Sequence, residues 1–414
     1  DFKRPKATLR ITLIGILSFL FIFAILAQFT FFQKPLLSYL DLYFAIPVIV
    51  LFASTPSLCV KRFVTELTVR KAQLKLTKVN PTIIGITGSY GKSSTKLLLH
   101  HLLLQKQPVF ATPSSYNTLY SVAKAIADSY KEEKLVILEY GAYGKGEIKK
   151  LAHFFQPHIA VITGITKQHL GLFGSLEKIM EAKSELINAL PAGGIVFFNG
   201  SDINVCKMVS KTKVKTINSA NSQPSLTKLQ INEEGKLAFT LGKTRVKTKI
   251  VGKQYQTNIQ TTIAIAQHLS VPTDKIVKAL SSFEPSQIFT QSKKVKRSVL
   301  IIDDGRTTNP KGFEAAIQLI KEIDKPRKIL LTAGIVDLGK ESSSIHSNLA
   351  VNSRQIIDQV LYIGLDGSEE FSKVFSQDFI SEKEEVRKIL SNLDNTVLLI
   401  EGKIPQDILA SVPN

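Results

Sequence analysis

A glycine-rich turn constrains the fold of this chain more than any other feature of its sequence. The turn, Thr87–Ser94 (TGSYGKSS), follows the β-branched segment Thr82–Ile86 and precedes a helical pattern. Glycines allow successive backbone N–H groups to converge on one point, and the N-terminus of a helix adds a partial positive charge there. The pattern therefore predicts a strand, a phosphate-binding loop and a helix, in that order.

Within this loop, two side chains are expected to contact the phosphates and their metal ion. Lys92 is predicted to reach the β- and γ-phosphates, and the Ser93 hydroxyl to ligate Mg²⁺. The spacing departs from the strict G-x-x-x-x-G-K-[ST] pattern, because Ile86 stands where the first glycine is expected. A glycine-rich turn without a ligand is the alternative. The predicted nucleotide-binding residues of the loop are Thr87, Gly88, Ser89, Gly91, Lys92, Ser93 and Ser94.

From residue 81 onward, short apolar segments alternate with helical patterns, which is typical of an α/β fold with a mostly parallel sheet. The first strands are predicted at 82–87, 108–112, 135–140, 159–165 and 194–199, and the helices between them at 92–105, 118–130, 146–155 and 175–190. Residues 211–251 are predicted to form a β-rich insert, and a second alternation begins at 298–303. We therefore expect a central phosphate-loop domain at 81–288 and a C-terminal α/β domain at 289–414.

The N-terminal part is strongly apolar. Residues 11–32 form a run of 22 residues without a charge, and a membrane-spanning helix needs about 20. A second apolar stretch follows at 36–60, and basic residues flank the pair on both outer sides, which places both ends in the cytoplasm. The sequence predicts a transmembrane helical hairpin at 1–62, a basic linker at 63–80, and a two-pass protein of the cytoplasmic membrane with its catalytic domains in the cytoplasm. A buried helical hairpin in a soluble domain is the alternative.

Charge and cysteine content exclude several classes of protein. Lys and Arg exceed Asp and Glu by 53 − 34 = 19, which indicates anionic partners such as phosphorylated ligands or lipid headgroups. No nucleic-acid-binding motif accompanies this charge, so we expect no nucleic-acid partner. Cys59 and Cys206 are the only cysteines, which rules out a disulfide framework and a cysteine-rich zinc site.

The phosphate loop resembles that of the Mur ligases, which reads T-G-x-x-G-K-[ST]-[ST]. Further segments resemble this family in the same order along the chain, and their pattern is most similar to the MurF type. They are Thr112–Thr118 (TPSSYNT), Leu138–Ala142 (LEYGA), Thr163–Gly171 (TGITKQHLG), Ala182–Leu186 (AKSEL), Gly252–Asn258 (GKQYQTN) and Asp303–Pro310 (DDGRTTNP). The resemblance spans residues 81–402, and we expect the hairpin to stand in place of the family's N-terminal UDP-binding domain.

By this resemblance, the site uses ATP and two Mg²⁺ ions. Ser93 and Glu139 are expected to hold the first ion, and His169 with a carbamylated Lys183 the second. Asn117 is expected beside the γ-phosphate and the acyl acceptor. The resemblance also implies that the C-terminal domain is Rossmann-like.

The resemblance also implies that motifs later in the chain contact the adenine and the ribose of the nucleotide. Asn258 is expected on the adenine side, Asp304 at the ribose, and Asn309 at the start of a helix. The family's Gly-Arg pair, expected just before the last domain, is replaced by Pro285–Phe289 (PSQIF). Arg306 is our candidate for the catalytic charge lost there.

The function implied is that of a membrane-anchored, ATP-dependent, ADP-forming acid–amino-acid ligase that forms an acyl phosphate. The expected reaction is MurF-like addition of an amino acid or dipeptide to a cell-wall precursor in peptidoglycan biosynthesis, with a soluble or lipid-linked carboxylate as acceptor. The late K-G-S motif of the family reads Glu401-Gly402-Lys403 here. The sequence therefore does not assign the pocket that binds the amine. A ligase for another polymer, such as capsular polyglutamate, and a non-catalytic nucleotide-binding membrane scaffold are the alternatives.

Overall fold

The structure is a computed structural model, and it describes Thr12, 15–16, 18–20, Phe23, 59–166, 170–306 and 309–413. The chain divides into two compact units, Asp1–Leu74 and Lys75–Asn414. In the first unit, residues 59–74 are helical, and Arg70 pairs with Glu66 one turn earlier at 2.8 Å. In the second unit, residues 75–79 are helical and precede the first strand.

The predicted transmembrane hairpin is wrong by this structure. Among the described residues, no helix is both long enough and apolar enough to cross a bilayer. Most of the two predicted segments, 11–32 and 36–60, lies outside the described residues. An apolar run can span a bilayer only as one continuous helix, and hydropathy does not establish that continuity. The expectation of a two-pass protein in the cytoplasmic membrane fails with it.

A six-stranded, fully parallel sheet forms the first half of the second unit, as the alternating pattern predicts. Its strands lie in the order β2-β3-β1-β4-β5-β6. They are β1 (Thr82–Thr87), β2 (Val109–Ala111), β3 (Leu135–Glu139), β4 (Ile159–Ile162), β5 (Ile195–Phe198) and β6 (Lys215–Asn218). The order reverses at β1, which has β3 on one side and β4 on the other. Ligands of open α/β sheets bind beyond the carboxyl end of the strands at such a reversal, which here is just after Thr87.

Helices connect these strands, and local capping explains where several of them begin. They are α1 (Lys92–Leu103), α2 (Leu119–Ser129), α3 (Glu147–Phe154), α4 (Leu170–Phe173), α5 (Leu176–Asn188) and α6 (Ile203–Val209). The Thr118 hydroxyl accepts from the Ser121 N–H to cap α2, and the Asp202 carboxylate caps α6 through two backbone N–H groups. Such caps satisfy N–H groups that have no partner within the helix.

A three-stranded antiparallel sheet follows, within the region predicted as a β-rich insert. It consists of β7 (Leu226–Ile231), β8 (Lys236–Leu241) and β9 (Thr244–Val251). The helices α7 (Gln256–His268) and α8 (Thr273–Ser282) come next. Phe239 of β8 and Ile263 of α7 belong to the same buried cluster as Leu98 of α1, so the small sheet and the main sheet share one core. Residues 215–218, predicted in the insert, instead form the edge strand β6 of the main sheet.

The second half of the unit contains another six-stranded sheet, in the order β10-β11-β15-β12-β13-β14. Only β10 is antiparallel to its neighbour. The strands are β10 (Gln291–Val295), β11 (Val299–Asp304), β12 (Arg327–Thr332), β13 (Gln359–Tyr362), β14 (Phe379–Ile380) and β15 (Thr396–Glu401). The helices are α9 (Pro310–Glu322), α10 (Ser342–Arg354), α11 (Ser368–Phe375), α12 (Lys383–Ser391) and α13 (Gln406–Leu409). The predicted domain limit at 288–289 lies between α8 and β10 and stays a prediction.

Candidate active site

A cleft of about 1000 Å³ opens at the carboxyl edges of both six-stranded sheets. Residues that follow β1 and the last residue of β3 line the cleft, and so do residues at the ends of β11 and β15. The sequence-predicted residues on its wall are Ser89, Gly91, Lys92, Ser93, Ser94, Asn117, Glu139, Asn258, Asp304, Arg306 and Asn309. Motifs more than 200 residues apart in the sequence therefore meet around one cavity.

The phosphate loop needs glycine at two positions. Gly88 and Gly91 have φ of 150° and 75°, which side chains rarely adopt. A Cβ at Gly88 would lie 2.1 Å from Thr163 Oγ1, and one at Gly91 would lie 2.7 Å from Asn258 Nδ2. Asn258 therefore packs directly on the loop, where its Nδ2 also donates to the Gly91 carbonyl at 3.1 Å.

Lys92 folds back over this loop. Its Nζ donates to the carbonyls of Gly88 at 2.7 Å and Ser89 at 3.3 Å. Burial lowers the pKa of Lys92, and the negative charge of Glu139 partly opposes this effect. A nearby phosphate group would favour the charged form of the amine in the same way.

Ser93 and Glu139 form the pair that the resemblance assigns to Mg²⁺. Ser93 Oγ donates to Glu139 Oε2 at 3.1 Å, and Ser115 Oγ lies 3.3 Å from Ser93 Oγ. Glu139 is fully buried at the end of β3. In the part of the chain that the structure describes, no cluster of three or more His, Cys, Asp or Glu could hold a metal ion. One hydroxyl and one carboxylate still fit Mg²⁺, which takes few protein ligands and keeps the others from phosphate and water.

Lys96 is a residue of this site that sequence reasoning missed. Its Nζ lies 2.7 Å from Glu139 Oε1, and both side chains are 0% exposed. It also donates to Thr112 Oγ1 at 3.5 Å and to the Ser114 carbonyl. The available signal was its spacing of four residues from Lys92, which places both lysines on one side of α1.

Lys183 lies on α5 at a small neighbouring cavity that Lys92, Asn117 and Phe173 also line. Its side chain is buried, and its Nζ sits 5.9 Å from the centre of the Phe173 ring. Burial, and then the charge of Lys92, lower the pKa of Lys183 to about 7, against the opposing charges of two glutamates. A large fraction of this amine is therefore neutral and nucleophilic near neutral pH. His169, its predicted partner, lies outside the described residues.

Asn117 borders both cavities and is held by its backbone. Its carbonyl accepts from the Gly141 N–H at 3.0 Å. A Cβ on Gly141 would lie 2.6 Å from the Asn117 side chain. The glycine of the predicted LEYGA segment is thus required for Asn117 to lie this close to the end of β3.

Asp304 receives a directed chain of hydrogen bonds. Gln254 Nε2 donates to Thr290 Oγ1 at 3.0 Å, and Thr290 Oγ1 donates to Asp304 Oδ1 at 2.7 Å. The Tyr255 hydroxyl accepts from the Thr290 N–H at 2.9 Å. Because Thr290 is buried between these groups, it fixes the orientation of the Asp304 carboxylate. Thr290 is a second residue that sequence reasoning missed.

Glu401 lies beside Asp304 on the neighbouring strand, in direct register with it. Its side chain is 1% exposed. Burial raises the pKa of Glu401 well above its ordinary value, the charge of Asp304 adds to this effect, and the Gly402 N–H partly offsets it. The interior therefore favours the protonated form of this carboxyl group.

Arg306 lines the cleft, two residues after the end of β11. Its guanidinium donates to Gln287 Oε1 at 2.6 Å, and both side chains are exposed. Asn309 is buried and caps α9 by accepting from the Gly312 N–H at 3.0 Å, which agrees with its predicted place at the start of a helix.

A charged junction joins the phosphate loop to α9. Lys311 Nζ donates to Asp202 Oδ2 at 3.0 Å, and the Tyr90 hydroxyl donates to the same oxygen at 3.2 Å. Lys311 Nζ also lies 5.6 Å from the centre of the Tyr90 ring. Burial alone would raise the pKa of Asp202, but the hydrogen bonds from Lys311 and backbone N–H groups lower it below its ordinary value.

Comparison with known proteins identifies relatives of this architecture. Residues 86–266 match the Mur ligase middle domain. The chain is 28% identical over 327 residues to the UDP-N-acetylmuramoyl-tripeptide–D-alanyl-D-alanine ligase of Bacillus subtilis, covering 77% of this chain and 71% of that one. It is 28% identical over 285 residues to the ligase of the same name from Mycobacterium tuberculosis, covering 65% of this chain and 55% of that one.

A solved structure agrees with these sequence matches. The MurF ligase of Thermotoga maritima in complex with ADP superimposes with a TM-score of 0.73 and 25% identity, over 84% of this chain and 82% of that one. The chain thus spans between about half and three quarters of the length of the two curated relatives above.

Proposed function

Because this chain is a MurF-like member of the Mur ligase family, we propose that it joins a carboxylate to an amine as ATP is cleaved to ADP and phosphate. The observation that carries the proposal is the Ser93–Glu139 pair at 3.1 Å, at the foot of a phosphate loop whose lysine is already directed inward. A buried carboxylate beside the loop is the kind of Mg²⁺ ligand that phosphoryl transfer requires. We therefore favour a ligase over a scaffold.

In the proposed reaction, a carboxylate oxygen of the substrate attacks the γ-phosphorus of ATP and ADP leaves. The resulting acyl phosphate is attacked at its carbonyl carbon by the amine, and phosphate departs from the tetrahedral intermediate as the amine loses its proton. Lys92 and the loop N–H groups would hold the triphosphate, and Arg306 would stabilise the charge that develops on the transferred phosphoryl group. Mg²⁺ held by Ser93 and Glu139, when bound, neutralises phosphate charge. Asn117 lies at the boundary of the two cavities, where acceptor and γ-phosphate would meet.

Two further residues of the cleft are proposed to contact the ribose and the adenine of the nucleotide. Asp304, oriented by Thr290, is proposed to contact the ribose. Asn258, which already packs on the phosphate loop, is proposed to lie on the adenine side.

A carbamate on Lys183 is the finer part of this proposal. The neutral amine would bond to the carbon of CO₂ and release one proton, and the carbamate would provide an oxygen ligand beside Lys92. A pKa near 7 supports it, because the amine must be neutral to attack. His169 would share the second Mg²⁺ with this carbamate.

The substrates follow from the relatives' names. We propose a UDP-muramoyl-tripeptide as the carboxylate and D-alanyl-D-alanine as the amine, in peptidoglycan synthesis. Gly402 and Lys403 of the altered Glu401-Gly402-Lys403 segment line the cleft, so we propose that a difference in the amine is accommodated there.

The test is phosphate release from ATP and Mg²⁺ by the full chain, with and without these two substrates. Release that requires both substrates, and that Lys92→Ala abolishes but Lys124→Ala does not, would support the proposal. Lys124 is a suitable control because it is an exposed helical lysine paired with Asp128. Mass spectrometry of the product would identify the new amide. ATP binding without substrate-dependent release would contradict the proposed reaction and favour a scaffold or a ligase for another polymer.

A further inference from the structure

Lys96 is a buried lysine that the proposed reaction does not use. It lies on α1, three residues after Ser93, and none of its side chain is exposed. Its ammonium faces three acceptors, namely Thr112 Oγ1, the Ser114 carbonyl and Glu139 Oε1. A lysine ammonium has three N–H donors, so these acceptors fully occupy it and fix its position.

The two carboxylate oxygens of Glu139 contact different partners. Oε1 lies 2.7 Å from Lys96 Nζ, on the interior side of the carboxylate. Oε2 lies 3.1 Å from Ser93 Oγ, and both of these residues line the cleft. As long as Lys96 holds Oε1, the carboxylate can offer only one oxygen to a cation in the cleft.

Cations differ in how they use a carboxylate. Mg²⁺ is small and demands near-ideal octahedral geometry, whereas Ca²⁺ takes six to eight oxygens and readily binds both oxygens of one carboxylate. From this geometry we infer that Lys96 is a specificity-determining residue: it limits Glu139 to one coordinating oxygen and so favours Mg²⁺ and Mn²⁺ over Ca²⁺. The inference rests on the proposed function, because it takes Glu139 as the metal ligand.

A purely structural role for Lys96 makes a different prediction. Removal of one partner of a buried ion pair destabilises a protein, because the other charge is left uncompensated. Such a loss would weaken the binding of every cation alike. Only the proposed role changes the ratio of the Mn²⁺ and Ca²⁺ affinities.

The experiment measures cation binding and not turnover. The full chain with a non-hydrolysable ATP analogue is titrated with Mn²⁺, free Mn²⁺ is followed by electron paramagnetic resonance, and Ca²⁺ is added as competitor. The Mn²⁺ binding that is lost in Glu139→Ala is the binding that depends on this carboxylate. In Lys96→Met, Mn²⁺ affinity should fall about tenfold, the lower end of the loss typical for groups that orient a metal ligand. Ca²⁺ affinity should be retained, so Ca²⁺ should displace Mn²⁺ at about tenfold lower concentration.

Lys124→Met is the matched control and should behave as the wild type, since Lys124 is exposed on α2. If Lys96→Met does not fold, as judged by circular dichroism, Lys96→Gln replaces it, because glutamine is shorter but keeps a polar N–H in the interior. The same tenfold change in the ratio is expected there. An unchanged ratio of affinities in a folded variant would overturn the inference and leave the proposed function standing. Absence of Mn²⁺ binding by the wild type would overturn both.

Discussion

Arg306 donates a hydrogen bond of 2.6 Å to the side-chain oxygen of Gln287. Gln287 belongs to the segment in which Mur ligases carry a Gly-Arg pair, and this chain has no arginine there. The guanidinium of Arg306 therefore lies against the segment that lacks the expected charge. We expect Arg306 to supply the positive charge that the family carries in that segment.

Replacement of Arg306 tests this substitution of charge. Arg306→Ala should lower kcat for ATP-dependent ligation by about 100-fold or more, the usual cost of removing one group that stabilises transition-state charge. The free energy of unfolding should change little, because the side chain is exposed. Steady-state phosphate release with both substrates measures the effect.

Two further variants sharpen that result. Gln287→Arg in the Arg306→Ala background should restore part of the lost turnover, since it returns a guanidinium to the same place. Arg327→Ala, which removes an exposed arginine bonded to Gln359, should leave turnover unchanged. Full activity of Arg306→Ala would refute the role assigned to it.

Lys183 should make stability depend on pH in a defined window. Its pKa is about 7 in the folded chain and near 10.5 when unfolded, so between these values the unfolded state binds the extra proton. The free energy of unfolding should therefore rise with pH from about 7 to 10.5, by at most ~1.4 kcal/mol per pH unit from this group. Lys183→Met should lose this slope and be more stable than the wild type near pH 6.5. Urea denaturation at pH 6.5 and 8.5 in CO₂-free buffer, with Lys124→Met as control, would detect it, and equal slopes would contradict the prediction.

Glu401 should make the free energy of unfolding fall as pH rises, which is opposite to the effect of Lys183. Its folded pKa is raised, so above about pH 4.5 the folded state keeps a proton that the unfolded state releases, and stability falls as pH rises. Glu401→Gln removes this loss, so the variant should match the wild type near pH 4.5 and exceed it at pH 7.5. The gap can grow by at most ~1.4 kcal/mol per pH unit. Thermal unfolding at both pH values measures it; a variant less stable at pH 7.5 would mean that Glu401 is ionised in the fold.

Thr290 should affect nucleotide binding through Asp304. Thr290→Val removes the buried hydroxyl that accepts from Gln254 Nε2 and donates to Asp304 Oδ1, which should cost about 1–3 kcal/mol of stability. We expect a higher KM for ATP with a smaller change in kcat, because the loss lies at the nucleotide's ribose end. Thr290→Ser keeps the hydroxyl and should behave as the wild type. If both variants change KM equally, packing and not the hydrogen bond is responsible.

Most of the first sheet could be predicted from the sequence, because its strands are buried apolar runs separated by helical segments. The edge strands β6 of this sheet and β10 of the second sheet could not, whereas the edge strand β2 is predicted at 108–112. Lys215–Asn218 and Gln291–Val295 are polar and lysine-rich, since an edge strand has one face and one side in water and charge there prevents further pairing. Such segments have no apolar pattern to distinguish them from a linker or a domain boundary.

Sequence patterns likewise predict some residues of the cleft and not others. Lys92, Ser93 and Glu139 could be found because a loop motif and strand ends locate them. Lys96 and Thr290 could not, because a lysine on a helix and a threonine after a loop are ordinary surface residues until tertiary contacts bury them. The membrane hairpin failed for a related reason: length and hydropathy are necessary for a spanning helix and do not suffice for one.

The junction of Lys311, Asp202 and Tyr90 has a consequence for how nucleotide is sensed. Tyr90 belongs to the loop that would grip the phosphates, and Lys311 belongs to the helix that follows the second sheet's Asp304 turn. Binding free energies are reciprocal, so the factor by which this junction strengthens nucleotide binding equals the factor by which nucleotide strengthens the junction. A measurement of nucleotide affinity therefore reports whether the Lys311–Asp202–Tyr90 junction is formed, even before an amide bond forms.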